Sequence, residues 1–169
     1  MDETTLSLDP PLRACWMKIG QQKRIPATRP GSKQHRHIFA AYNWCKDTVT
    51  WTSAERKNSA TFISFLEELL VKRYPNGRIV LVMENASYHK NASVLAALSL
   101  FEHRVMVIWL PPYSSDLNPI ERFWRYLKDL ACANKLEDSI EDVLKSTVKI
   151  LNEQNNPAST LRFHVSKNL

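Results

Sequence analysis

The sequence predicts an α/β domain in which an antiparallel meander precedes two parallel strands, with helices on both sides of the sheet. Two observations predict it. Short segments rich in β-forming residues and bounded by turn residues fill the amino-terminal part of the chain. From residue 58 the apolar positions take helical spacing, and helical segments then alternate with unbroken apolar runs. With 169 residues, 44% of them hydrophobic, the chain can bury one substantial core.

Four segments predict the strands of the meander. They cover residues 3–8, 14–19, 37–43 and 48–52, and each is bounded by Pro, Gly, Asn or Asp. A helix follows over residues 58–73, behind Asn58 as its cap. Because Pro75, Asn76 and Gly77 break that helix, the apolar run Ile79–Met83 begins a new element. Its unbroken apolar character predicts a central strand covered on both faces.

The second half of the chain repeats the order helix then strand. Residues 91–101 carry apolar side chains on one helical face, and residues 104–110 form a second apolar run. Strand, helix and strand in this order predict a right-handed parallel crossover. Two helices, over residues 119–133 and 139–151, complete the domain, which we place at 1–151, followed by a polar tail at 152–169. This order of elements is that of a ribonuclease-H-like fold.

The charge distribution predicts an anionic partner. The net charge is +6, the pI is near 9.3, and no acidic residue lies between positions 18 and 36. A flexible basic loop of this kind suits phosphate contact, although a merely solvated loop is the alternative. The basic residues of the segment are Lys18, Lys23, Arg24, Arg29, Lys33 and Arg36.

Other features of the sequence exclude several classes of protein. The longest apolar runs are far shorter than the roughly 20 residues of a membrane-spanning helix, and the acidic start does not resemble a secretory signal. The three cysteines include no close pair, so the sequence supports neither a disulfide framework nor a four-cysteine zinc site. We therefore expect a cytoplasmic protein with no membrane partner.

Polar side chains follow the two apolar runs, where ligands of such sheets gather. The first run ends in Glu84, with Asn85 and His89 behind it, and a carboxylate at the tip of an apolar strand needs a partner or an ion. The second run leads through a stiff Pro-Pro turn to a helix that begins with Pro119. Glu121 lies in the first turn of that helix.

Three segments resemble the motifs of DDE transposases of the mariner superfamily, including its bacterial insertion-sequence branch, whose catalytic domain is like that of retroviral integrases. VMENASYHK is similar to the second carboxylate motif, LPPYSSDLNPIERFW to the third, and DETTLSLDPPLRACWMKIGQ to the first. The resemblance extends over residues 2–151. It implies that Asp2, Glu84 and Glu121 are catalytic residues that bind Mg²⁺ or Mn²⁺, with two ions expected.

The resemblance also implies a reaction and its partners. Water cuts a phosphodiester at the end of a mobile element, and the freed 3′-hydroxyl attacks target DNA. Double-stranded DNA, both element end and target, is therefore the expected substrate of a homodimer, nucleoid-associated if the host is bacterial. Arg122 and Arg125 on the last-motif helix are candidates for DNA contact, with solvation as the alternative.

Several candidate residues admit a second interpretation. Glu121 also fits a capping box with Asn118, and Asp116 and Asn118 fit the roles of turn and cap residues. We keep Asp116 as a reserve ligand. His89 either orders the site or contacts a phosphate, or it is structural, and Asn85 is a further auxiliary residue.

The chain departs from the family pattern at two points. Glu84 stands where the family has aspartate, and its additional methylene alters a site in which a misplacement of about 1 Å can cost on the order of a hundredfold in rate. The helix-turn-helix domains that precede the family's catalytic domain are expected to be absent, because Asp2 is the second residue. The leading hypothesis is a transposase catalytic domain. The alternatives are a non-catalytic DNA-binding or assembly module and a stand-alone nuclease of the same fold.

Overall fold

The structure, a computed structural model, describes residues 1–25, 34–112 and 114–165 and confirms the predicted fold class. An antiparallel sheet and a parallel pair of strands are flanked by helices. The elements in chain order are β1 (Asp2–Ser7), β2 (His35–Asn43), β3 (Thr48–Ala54), α1 (Ser59–Glu67), β4 (Ile79–Met83), α2 (Ala92–Ser99), β5 (Val105–Trp109), α3 (Pro119–Ala131) and α4 (Ile140–Asn155).

The antiparallel sheet separates two hydrophobic cores. Side chains alternate between the faces of a strand, so Ile38 and Ala40 of β2 join one core and Phe39 joins the other. Helices α3 and α4 cover the first face, which also buries Leu6 of β1. Helix α1 covers the second face together with α2 and the parallel strands. The helices therefore lie on both sides of the sheet, as predicted.

The parallel pair of strands extends this architecture towards the site. Strand β4 pairs with β5 in register from Ile79 opposite Val105 to Met83 opposite Trp109. The two ladders are separate sheets, linked where the amino group of Met1 donates to the carbonyl of Val82 over 2.6 Å. The carboxyl end of β4 consequently lies beside the start of β1.

The prediction that β4 is covered on both faces is wrong. Val80 on β4 and Met106 and Ile108 on β5 are 58%, 63% and 45% exposed. Leu81, on the opposite face of β4, is buried in the core with α1 and α2. An apolar run specifies a strand but not the number of faces that neighbouring elements cover.

The predicted strand at residues 14–19 is also absent from the described part of the chain. Residues 11–18 have neither helical nor strand structure, and the side chain of Trp16 is fully exposed. The chain just before this segment bonds to the loop between α3 and α4: the N–H of Arg13 donates to the Asn134 side chain over 2.9 Å, and the backbone N–H of Asn134 donates to the carbonyl of Pro11. Residues 14–19 are exposed, so water can satisfy their backbone groups without a strand ladder.

The helices begin where the sequence signals place them. Asn58 caps α1 in a reciprocal capping box with Thr61, and Ser139 caps α4 by accepting from the N–H of Asp142. A π-helical turn, Glu68–Arg73, continues α1 to the predicted end of the helix. None of the helices within the described ranges is long and apolar enough to cross a membrane.

Residues 152–165 differ from the polar tail predicted for positions 152–169, of which 166–169 lie outside the described residues. Helix α4 continues to Asn155, and the chain then turns back so that Phe163 packs against the core beneath α3 and α4. Gln154 is fully buried and holds this return by accepting from the N–H of Phe163 over 2.7 Å. The sequence pattern did not predict this return of the chain, because few residues make its contacts with the core.

Candidate active site

Three carboxylates from distant parts of the chain meet where β1 begins and β4 ends. Asp2 is the first residue of β1, Glu84 follows β4 directly, and Glu121 lies in the first turn of α3. Each residue offers one carboxylate oxygen, and these three oxygens lie within 4.8 Å of one another. The structure thus brings together the three residues that the sequence singles out as metal ligands.

Asp2 is the most buried of the three and is held by α3. Asp2 is 5% exposed, and its Oδ2 accepts a hydrogen bond of 2.8 Å from the indole Nε1 of Trp124. Burial raises the pKa of the Asp2 carboxyl, although its backbone hydrogen bond and the Trp124 hydrogen bond oppose the shift. This carboxylate is therefore fixed in place by a donor that cannot itself bind a metal.

Glu84 reaches the same point despite its longer side chain. Its Oε1 is buried and has no hydrogen-bond partner among the described residues. Burial and then the negative charge of Asp2 raise the pKa of Glu84, while a hydrogen bond from Asn118 lowers it. A buried carboxylate oxygen without a donor is costly unless a cation occupies the space it faces.

Glu121 belongs to the cluster and does not close a capping box. Asn118 is at the N-cap position of α3, but its side chain makes no capping hydrogen bond and donates to the carbonyl of Met1 over 3.4 Å. Burial, followed by the charges of Asp2 and Glu84, raises the pKa of Glu121. The alternative role of Glu121 and Asn118 as a reciprocal cap is not observed.

The three side chains fit a hard divalent cation. Carboxylate oxygens are the ligands that Mg²⁺ and Mn²⁺ take in proteins. All three pKa values are raised, chiefly by burial, and those of Glu84 and Glu121 also by the charges of the other clustered carboxylates. A cation between the carboxylates would offset that repulsion. The Oε1 of Glu84, which has no hydrogen-bond partner among the described residues, could bind such a cation.

The auxiliary residues lie around this cluster in different environments. His89 and Asn118 are buried, at 1% and 2% exposure, whereas Asn85 and Asp116 are exposed. Asp116 lies in the 3-10 turn Ser115–Leu117 and is not one of the clustered carboxylates. Its role as reserve ligand receives no support from this geometry.

Sequence analysis missed four residues beside the site. Trp124 holds Asp2, and the buried carboxylate of Glu3 contacts the Tyr88 hydroxyl and the exposed Lys57. Burial opposes the ionisation of Glu3, but its hydrogen bond to His89 and the charge of His89 keep the pKa of Glu3 below its usual value. The only sequence signal for Glu3 was its position next to Asp2 on a strand, where alternation places the two side chains on opposite faces.

The basic residues predicted to contact DNA fall into three groups. Lys18, Lys23 and Arg24 are exposed in the loop after β1, and Arg122 and Arg125 are exposed on α3. Arg36 instead lies in β2 and forms an ion pair of 2.7 Å with Glu141. Arg29 and Lys33 lie outside the described residues.

Comparison with known proteins finds one family over most of the chain. A family profile described as DDE superfamily endonuclease matches residues 1–143. A curated relative, the insertion element IS630 uncharacterized 39 kDa protein of Shigella sonnei, is 31% identical over 144 residues. That match covers 85% of this chain and 41% of the relative, so the chain spans about two fifths of the relative's length.

Solved structures of Mos1 transposase share the fold. A Mos1 paired-end complex with the left transposon end aligns with a TM-score of 0.68 at 20% identity, over 89% of this chain and 46% of that one. The Mos1 strand transfer complex aligns with a TM-score of 0.66 at 19% identity, over 89% of this chain and 45% of that one. At such identities the similarity concerns the fold.

Proposed function

Because the chain belongs to the DDE superfamily of endonucleases, in its IS630/mariner transposase group, we propose that it is a catalytic domain for metal-dependent DNA cleavage and strand transfer. The observation that carries the proposal is the meeting of Asp2, Glu84 and Glu121, whose ligand oxygens lie within 4.8 Å of one another. Three carboxylates from three separate elements have no evident structural purpose at one point, because their charges repel.

We assign to these three side chains the binding of Mg²⁺ or Mn²⁺, as two ions. Such a pair activates a nucleophile and stabilises the leaving oxygen of an in-line phosphoryl displacement. The three side chains contribute carboxylate oxygens, which are hard ligands, at fixed positions. Asp2 is fixed by Trp124, and Glu84 follows a strand that pairs along its length with β5.

The proposed reaction has two steps, a hydrolysis and a transesterification. Water attacks a phosphorus at the end of the element, the bond to the 3′ oxygen breaks, and a 3′-hydroxyl and a 5′-phosphate result. The freed 3′-hydroxyl then attacks a phosphorus of target DNA and displaces another 3′ oxygen. The second step needs no energy source because one phosphodiester replaces another.

We propose double-stranded DNA as the partner of the exposed basic residues. Lys18, Lys23 and Arg24 lie after β1, the strand that begins with Asp2, and Arg122 follows Glu121 on α3. Of these residues only Arg122 lies on an element that carries one of the carboxylates, and exposed basic side chains suit contact with DNA phosphates. Arg36 is less suited, because Glu141 and Glu55 already neutralise it.

We also propose that the chain acts as a dimer on paired DNA ends. The fold is shared with Mos1 transposase in a paired-end complex and in a strand transfer complex. Two ends must be held together before both can join one target. Sedimentation of the chain alone and with an end-containing duplex tests this assignment, and a monomer in both would contradict it.

The metal site is tested by Mn²⁺ binding, measured by electron paramagnetic resonance. We expect the chain to bind Mn²⁺ and Glu121→Ala to lose that binding. Asp116→Ala is the matched control, since it removes a nearby carboxylate that is not in the cluster. Equal binding by Glu121→Ala and the unchanged chain would refute the assignment.

A non-catalytic DNA-binding module is the second candidate, and Glu84 favours it because the family has aspartate there. It predicts salt-sensitive DNA binding without cleavage, even in Glu84→Asp. A stand-alone nuclease would cut DNA without joining it to a target. Products formed from a supercoiled plasmid separate these outcomes.

A further inference from the structure

Asp2 and Glu3 are adjacent acids on β1 whose side chains lie on opposite faces of the sheet. The carboxylate of Asp2 accepts from Trp124 of α3, on the face covered by α3 and α4. The carboxylate of Glu3 contacts His89, whose ring packs on Phe62 of α1 with centroids 4.3 Å apart. Alternation along a strand requires this divergence, so Glu3 is directed away from the clustered carboxylates.

The Glu3 carboxylate is fully engaged by other side chains. It is 1% exposed, and its Oε1 lies 2.8 Å from Nε2 of His89. Its Oε2 accepts from the Tyr88 hydroxyl and lies 3.4 Å from Nζ of Lys57. Both oxygens therefore have partners, in contrast to Glu84, whose Oε1 has none among the described residues.

His89 connects Glu3 to the backbone at Glu84. Its Nδ1 lies 3.0 Å from the carbonyl oxygen of Glu84, and a carbonyl can only accept, so Nδ1 carries a proton. Its Nε2 faces an acid that accepts when ionised. The packed ring is 1% exposed, which leaves it little freedom to rotate. Glu3, His89 and the Glu84 carbonyl thus form one continuous chain of contacts from β1 to the loop after β4.

We propose that Glu3 is a positioning residue and not a metal ligand, and that through His89 it fixes the backbone of Glu84 relative to Asp2. The inference rests on the proposed metal site. Asp2 lies in the antiparallel sheet and Glu84 directly follows a strand of the parallel pair, and the hydrogen bond from the Met1 amino group to the Val82 carbonyl links the two segments. The contacts of Glu3 with His89 and Tyr88 add side-chain connections between the same two segments.

Glu3→Gln separates positioning from ligation. The glutamine oxygen can accept from Tyr88, and its amide can donate to an unprotonated Nε2 of His89, while Nδ1 still donates to the Glu84 carbonyl. Every hydrogen bond of the connection is thereby kept. An amide is a much weaker ligand for Mn²⁺ than a carboxylate, so a ligand would not tolerate the change.

The experiment measures Mn²⁺ affinity by electron paramagnetic resonance in the complete chain. We expect Glu3→Gln to bind within about threefold of the unchanged chain, and Glu3→Ala and His89→Ala to lose about 10- to 100-fold, as is usual for residues that orient ligands. Asp2→Asn is the reference for loss of a ligand. Loss of affinity in Glu3→Gln as complete as in Asp2→Asn would overturn the inference.

A second readout needs no metal. Backbone amide resonances of residues 84–86 in the metal-free chain should stay in place in Glu3→Gln and shift in His89→Ala. Unchanged resonances in His89→Ala would overturn the positioning role even if Mn²⁺ binds. Failure of the unchanged chain to bind Mn²⁺ would instead refute the proposed metal site. If Glu3→Ala does not fold, Glu3→Gln and His89→Ala still decide the inference.

Discussion

Trp124 donates from its indole Nε1 to Oδ2 of Asp2 over 2.8 Å and so joins the last element of the candidate site to the first. Trp124 is 3% exposed and packs in the core between α3 and the antiparallel sheet. A buried indole usually finds a partner for its N–H, and here that partner is a candidate metal ligand. The hydrogen bond therefore orients Asp2 through the packing of α3.

Trp124→Phe tests this orientation. Phenylalanine keeps an apolar ring in the core but removes the donor, so we expect Mn²⁺ affinity to fall by about 10- to 100-fold. Phe123→Leu, a neighbouring change in the same core, should leave the affinity within about threefold. Equal losses in the two variants would attribute the effect to packing and contradict the role of the hydrogen bond.

Glu121→Gln should make the metal-free chain more stable at neutral and alkaline pH. The pKa of Glu121 is raised in the folded chain, so folding favours its protonated form, and that advantage is lost as pH rises from below 4.5 through the raised pKa. The glutamine amide stays neutral at every pH, so the variant does not bury a charge when the pH rises. We expect a higher Tm than that of the unchanged chain at pH 8 and an equal Tm at pH 4.

Added Mn²⁺ should reverse the order of the two Tm values at pH 8, so that the unchanged chain has the higher one. The ion binds the unchanged chain and raises its Tm, whereas the variant lacks one ligand and gains little. Differential scanning fluorimetry with and without Mn²⁺ checks both halves of the prediction. A lower Tm for metal-free Glu121→Gln at pH 8 would contradict the raised pKa of Glu121.

The basic residues should differ in their contributions to DNA binding. Lys23→Ala and Arg24→Ala should each reduce the slope of log K against log salt by about one, the effect of losing a phosphate contact. Arg36→Ala should leave the slope unchanged, because Glu141 already pairs with that guanidinium at 2.7 Å. Fluorescence anisotropy with a duplex at several salt concentrations measures the slopes, and a large effect of Arg36 alone would contradict the proposed surface.

Phe163→Ala should destabilise the fold through the carboxyl-terminal return. The ring contacts Tyr42, Phe123 and Tyr126, with centroids 5.4 to 6.2 Å away. We expect the free energy of unfolding to fall by about 2 kcal/mol, less than for a fully buried phenylalanine because the residue is only partly buried. Leu161→Ala, at 41% exposure, is the control. Equal free energies of unfolding for the two variants, measured with urea, would contradict the packing of Phe163 against the core.

The sequence predicted the features that local patterns determine. The positions of Glu84 and Glu121 follow from strand ends and a helix start, and the parallel pairing of β4 with β5 follows from the intervening helix. Asp2 could be placed only through the resemblance of its flanking motif. In each case neighbouring residues contain the information.

Features that depend on distant contacts were not predicted. The segment around Trp16 has strand-like composition but is exposed, and Arg13, just before it, bonds to Asn134, which lies far along the chain. The contact of Glu3 with His89 joins residues 86 positions apart, so the sequence did not predict a role for Glu3. The exposure of Val80 likewise depends on which elements cover the strand pair, and the apolar pattern of the strand does not indicate this.

Nicking of supercoiled plasmid tests the central claim most directly. The measurement compares the chain with Glu84→Asp and with Glu121→Ala, in Mg²⁺ and in Mn²⁺. We predict slow nicking by the unchanged chain, nicking at least about tenfold faster by Glu84→Asp, and none by Glu121→Ala. No cleavage by either of the first two, with both folded and bound to DNA, would contradict a metal-dependent DNA-cleaving site. So would equal cleavage by Glu121→Ala.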